Sequence, residues 1–183
     1  VKSAHLLFKG EAATKNTKVI TASFATGLLE SAFDEHVNIV NADLIARERG
    51  IHITESLSQE MGDFSTLIKA TIETDAGELS AAGTIFGKQF LRLVKLGPFS
   101  LDAYLDGLLL IYEHRDQPGL IGYMGTIFGQ HFVNISHLAL GRERNEPGGD
   151  AVAVLNLDNE PSPAALAEIQ QKPEVTGVKL VKL

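Results

Sequence analysis

Leu108-Leu109-Leu110-Ile111-Tyr112-Glu113-His114-Arg115-Asp116-Gln117-Pro118-Gly119 runs from an unbroken apolar stretch into a polar turn. An apolar run of this kind is expected of a strand buried on both faces. Beyond the turn, Leu120, Ile121, Met124, Ile127 and Phe128 recur at i, i+1, i+4, i+7 and i+8, one face of a helix that Gly129 should end. Phe132 to Leu140 then predicts a strand, Asn145 to Asp150 a Gly/Pro turn, and Ala151 to Leu157 the returning strand of a hairpin. Ser162 before Pro163 starts a second helix, a capping hydroxyl followed by a residue whose missing N–H is not needed there; Lys172-Pro173 stops it. Leu166 and Ile169 are its inward residues. Val175 to Leu183 closes the chain as a strand with Lys179 and Lys182 facing water.

This β-α-β-β-α-β order is the split βαβ of ferredoxin-like units, with both helices on one face of a four-stranded antiparallel sheet. Upstream, Lys2 to Phe8 predicts a strand closed by Lys9-Gly10, and Val19, Ile20, Phe24, Leu28 and Leu29 a helix from Lys15 to about Phe33. A second helix is expected from Ala42 to Arg49 with Leu44 and Ile45 inward, stopped at Gly50. Strands follow at Ile51 to Ser56, Ser65 to Thr74, Glu78 to Phe86, Phe90 to Lys95 and Phe99 to Tyr104. A linker at Asp102 to Gly107 ends the first part. The expected fold is α+β: a mixed sheet-and-helix domain over residues 1–104, then the ferredoxin-like unit over 105–183. One pentapeptide occurs twice, Gly83-Thr84-Ile85-Phe86-Gly87 and Gly125-Thr126-Ile127-Phe128-Gly129. Its first copy continues an alternating strand and its second falls inside a helical period, so tertiary context must override local propensity at one of them.

Composition narrows the classes of function. With 183 residues and 44% hydrophobic content the chain can bury ordinary cores. A net charge of −7 argues against nucleic acid and anionic membrane as partners. Cysteine is absent, which excludes disulfides and thiolate metal sites. No apolar run approaches a membrane span and no signal sequence is evident, so the cytoplasm is the expected compartment. Val1 in place of Met points to a processed chain or to a piece of a longer one.

The polar turn at the end of the first quoted strand is the sharpest candidate site. His114 and Asp116, at i and i+2, point the same way at a strand's end. Pro118 can open the helix, and Gly119 lets a ligand or a neighbouring backbone approach. Such a site offers backbone donors to a carboxylate and Asp116 to an ammonium group, so it could hold both ends of an amino acid. The plainer reading is that Asp116 caps the helix, His114 lies at the surface, and Asn134 makes an edge hydrogen bond.

His114, Asp116, Pro118 and Gly119, followed by a Gly-containing apolar helix and Val133-Asn134-Ile135, resemble the ACT-domain signature, particularly that of D-3-phosphoglycerate dehydrogenases. The resemblance implies that His114, Asp116, Pro118, Gly119 and Asn134 hold L-serine, or a similar small amino acid, between two ACT domains of a homodimer or tetramer. Val37-Asn38-Ile39-Val40-Asn41-Ala42, Glu48-Arg49-Gly50-Ile51 and Ala82-Gly83-Thr84-Ile85-Phe86-Gly87 resemble the intervening, allosteric substrate-binding domain of the longer dehydrogenases. There the resemblance implies anion binding, for which Lys88, Arg92, Lys95 and Arg142 are candidates; three solvated charges on an edge strand are the alternative. It also implies a regulatory segment of an NAD-dependent oxidoreductase of serine biosynthesis, with the NAD site elsewhere.

This chain carries no G-x-G-x-x-G fingerprint, no H-E-x-x-H pair and no G-x-S-x-G elbow, so no cofactor, metal or catalytic residue is expected within it. Two rival readings are a ligand-free oligomerisation module and the β subunit of an iron–sulfur serine dehydratase. The second is disfavoured by the lack of a Ser-rich, His-containing anion loop.

Overall fold

The computed structural model describes residues 1–30, 36–144 and 146–183. It contains two compact units, Val1–Ile85 and Phe86–Leu183. The expected helix end at Phe33 and the turn residue Asn145 lie outside the described residues.

In the first unit β1 (Ser3–Gly10), β2 (His52–Ser58), β3 (Thr66–Thr74) and β4 (Gly77–Phe86) run in the order β2-β1-β3-β4. β1 pairs with β2 in parallel, Ser3 opposite His52 through Lys9 opposite Ser58, and with β3 antiparallel. A parallel pair needs a long crossover, and α1 (Lys18–Glu30) and α2 (Ala42–Glu48) lie within it. Alternation along β1 sends Ala4, Leu6 and Phe8 into the core, where Ile20 and Phe24 of α1 meet Leu6 and Phe8. On the other face His5 lies between Thr54 Oγ1 and Ser56 Oγ, 2.9 Å from each.

Two inward assignments are corrected. Leu44 is 58% exposed and Val19 60%. Ala42, Ile45 and Ala46 form the buried face of α2, which turns Leu44 about 100° away. Ala25 and Leu29 do the same for α1.

The second unit begins with a hairpin of β5 (Phe90–Leu96) and β6 (Phe99–Tyr104), so Asp102 is strand rather than linker. The predicted β-α-β-β-α-β order follows: β7 (Leu108–Arg115), α3 (Leu120–Gln130), β8 (Ile135–Arg142), β9 (Asp150–Leu157), α4 (Pro163–Ile169) and β10 (Val175–Lys182). Its sheet runs β10-β7-β9-β8, all pairs antiparallel. Leu110, Tyr112 and Leu155 from the sheet pack with Met124, Ile127 and Phe128 of α3 and Ala165 and Ile169 of α4, each large apolar side chain contributing about 1.5–3 kcal/mol. Ser162 caps α4 as the sequence requires, its Oγ accepting from Ala165 N at 3.1 Å.

The first copy of the repeated pentapeptide is strand up to Phe86, where β4 ends, and the second is helix, within α3. Packing decides between them: Ile127 and Phe128 enter the second unit's core, while Ala82 and Thr84 are the buried residues of β4.

β9 is buried on both faces because β6 lies over the side opposite the helices. Asn156 Nδ2 donates to the carbonyls of Tyr104 (3.3 Å) and Asp106 (2.9 Å), and Tyr104 meets His137 edge-on at 4.5 Å between ring centroids. Gly141 faces the same way, and a Cβ there would stand 2.7 Å from Ser100 O. Among the described residues no helix is long and apolar enough to cross a membrane.

Gly141→Ala should therefore push β6 off β8 and destabilise the protein by about 1–3 kcal/mol, read from urea unfolding. A change below about 0.5 kcal/mol would show that the contact between these strands is loose.

Candidate functional site

β7 ends between β9 and β10, with His114 opposite Ala151 on one side and Val175 on the other. Strand parity puts His114 on the helix-covered face with Leu110 and Tyr112. It is a buried residue, 2% exposed, rather than the surface histidine of the plainer reading. Its Nδ1 lies 2.7 Å from Arg115 O. A carbonyl only accepts, so Nδ1 carries the hydrogen of this contact.

His114 Nε2, Tyr112 Oη and Glu174 Oε2 are all buried and have no hydrogen-bond partner among the described residues. The Tyr112 ring lies 4.9 Å from that of His114, and its phenol is pushed up from 10.0 to about 12, first by burial and then by Tyr123 and Glu174. Glu174 enters through the backbone, its carbonyl accepting from Arg115 N at 2.8 Å. Three buried polar groups at one strand end thus leave hydrogen-bonding capacity unused among the described residues. Neither Tyr112 nor Glu174 is marked as a site residue by the sequence: Tyr112 reads as one more residue of an apolar strand, although its i−2 spacing from His114 puts both on one face, and nothing in the spacing brings Glu174 to the end of β7.

Asp116 does not cap α3. Its carboxylate lies 2.8 Å from Arg142 Nε, with side chains 12% and 38% exposed respectively, and its N–H donates to Gly149 O. The helix starts later than Pro118 would allow, at Leu120, with Gly119 at φ 94° in the N-cap position. A left-handed φ at that point suits glycine, and no side chain among the described residues caps the first turn. Its amides remain available to an anion.

Asn134 lies elsewhere. Ile135 is in register with Leu157 and Leu157 with Leu108, whereas Arg142 is in register with Ala151 and Ala151 with His114. Asn134 and His114 therefore occupy opposite ends of the same sheet, about 20 Å apart. The Asn134 side chain donates to Asp158 Oδ2 at 2.5 Å and its N–H to Asn159 Oδ1.

The four candidate anion residues are differently engaged. Arg92 lies 3.4 Å over the Tyr104 ring with Nε 3.1 Å from Asp102, and Arg142 is held by Asp116. Lys88, in the turn before β5, and Lys95 are exposed. Among the described residues no group of three or more His, Asp or Glu side chains is placed to hold a metal ion.

The family model for the D-3-phosphoglycerate dehydrogenase intervening domain matches residues 1–97. The chain belongs to that family. Its whole length is 32% identical to D-3-phosphoglycerate dehydrogenase of Archaeoglobus fulgidus, 31% to that of Methanocaldococcus jannaschii and 30% to that of Bacillus subtilis. In each case it covers 34% of the relative, so the chain spans about a third of the length of these dehydrogenases. It fits a C-terminal regulatory part of such an enzyme, in line with the motif resemblance.

The raised Tyr112 pKa has a measurable consequence. Between about pH 10 and 12 the unfolded chain has released this proton and the folded chain retains it. Stability should then fall as pH rises, by about 1.4 kcal/mol per unit from this group. Tyr112→Phe should remove that component in alkaline urea titrations, and parallel losses in both proteins would refute the assignment.

Proposed function

We propose that the chain is the effector-binding part of a D-3-phosphoglycerate dehydrogenase, taking L-serine or a similar small amino acid at a site shared by two copies of the ACT-type unit. The observation that carries this reading is the separation of Asn134 from His114 and Asp116. A single small amino acid spans far less than 20 Å, so a site using all three needs two chains.

β8 supplies the means of joining them. It is an edge strand, paired with β9 on one side and with no strand of the described residues along its other edge. An open edge is a template for a second copy, and a twofold axis makes the pairing self-complementary. Antiparallel pairing of β8 with itself sets the Asn134 end of one copy beside the Arg142–Asp116 end of the other. Each of the two equivalent sites then draws His114, Asp116 and the α3 amides from one chain and Asn134 from its neighbour. The ligand's carboxylate suits the uncapped first turn of α3, with Pro118 and Gly119 forming the approach. Its ammonium suits the acceptors around His114.

Control follows from differential affinity. Serine favours whichever arrangement completes both halves of the site, with a coupling of about 1–3 kcal/mol. The NAD-dependent oxidation of 3-phosphoglycerate would be carried by catalytic domains outside these residues, in a homo-oligomeric cytoplasmic enzyme. Lys88, Arg92, Lys95 and Arg142 remain the proposed anion-binding group.

His114→Ala and Asn134→Ala should each abolish serine binding with the fold intact, as judged by calorimetry and circular dichroism. Mixing the two variants should restore binding to roughly a quarter of the wild-type sites, because half of the dimers are mixed and each mixed dimer has one intact site. No recovery would exclude a shared site, and wild-type dimers that bind no amino acid would identify a ligand-free oligomerisation module instead.

A further inference from the structure

Phe132 is the one non-glycine residue with positive φ among the described residues, at 56°, and it is 90% exposed. Its backbone position explains the angle. His131 is the C-cap of α3, Phe132 N–H donates to Gly129 O at 3.3 Å, and Val133 N–H donates to Phe128 O at 2.8 Å. These two bonds make a Schellman turn, whose left-handed residue is usually glycine. A third bond, from Asn159 Nδ2 to Phe132 O at 3.2 Å, fixes the corner from the other side. An aromatic residue is strained in that conformation, and its exposed ring returns nothing to the fold of its own chain.

Phe132 stands two positions before Asn134 and three before Ile135, where the open edge strand β8 begins. Resting on the shared-site reading above, we infer that Phe132 anchors the contact between copies, its ring seated against Arg142 of the second copy and closing the serine site there. In the antiparallel arrangement the start of β8 faces the end of its counterpart, where Arg142 is 38% exposed on its side chain and already oriented by Asp116. A guanidinium held flat by a carboxylate is a good surface for an aromatic ring. A second copy is the fitting occupant because the site opposite Phe132 is incomplete without it. The strain is then the counterpart of a side chain displayed for an intermolecular contact.

Phe132→Gly and Phe132→Tyr separate this role from a merely tolerated turn residue. Glycine should raise the thermal midpoint by about 2–4 °C, since the left-handed corner is kept without strain. It should also weaken self-association in sedimentation equilibrium and L-serine affinity in calorimetry by about tenfold or more, while tyrosine holds both within about twofold. A higher midpoint with self-association and serine affinity unchanged would overturn the inference and leave the shared site standing. A lower midpoint for the glycine variant would overturn the strain argument. Wild-type protein that neither associates nor binds serine would overturn the shared-site reading and this inference together.

Discussion

The pairing register of β7 with β9 is the constraint on which the second unit depends. With Leu110 opposite Leu155 and Tyr112 opposite Ala153, one face of the sheet receives α3 and α4 and the other receives β6. A slip by one residue would turn Leu110, Tyr112 and His114 away from the helices and expose Leu109 and Ile111 to them. The same register fixes the far ends: His114 and Arg142 share one end of the sheet and Asn134 the other. The placement of His114, Arg142 and Asn134 in the sheet is therefore fixed by the hydrophobic pattern that fixes the core.

That pattern was open to reading. The apolar run of β7, the helical period of α3, and the Ser162-Pro163 start of α4 each report a local demand that packing later meets. Residues whose placement depends on distant partners were less legible. Leu44 is expected inward together with Ile45, yet the buried face of α2 is made by Ile45 with Ala42 and Ala46. Asp116 was a helix cap by its position and an ion-pair partner by the arrival of Arg142 from another strand.

The candidate site divides along the same line. His114, Asp116, Pro118 and Gly119 are contiguous, so one strand end and one turn bring them together. Tyr112 joins them by strand parity, two residues before His114 on β7, whereas Glu174 joins them only because β10 returns alongside β7, which no spacing along the chain foretells. Asn134 carries a motif that links it to His114 but lies at the opposite end of the sheet. Motif and geometry agree if the motif describes two chains. The buried polar atoms around His114 have no hydrogen-bond partner among the described residues, and such groups are costly to leave unpaired.

A site built from two copies links ligand binding to association, since serine stabilises only the species that contains it. Sedimentation equilibrium of the purified chain across an L-serine titration tests this most directly. The monomer–dimer equilibrium should move toward dimer as serine rises, and apparent serine affinity should increase with chain concentration. Serine binding to a species that remains monomeric, with affinity independent of chain concentration, would contradict the shared site.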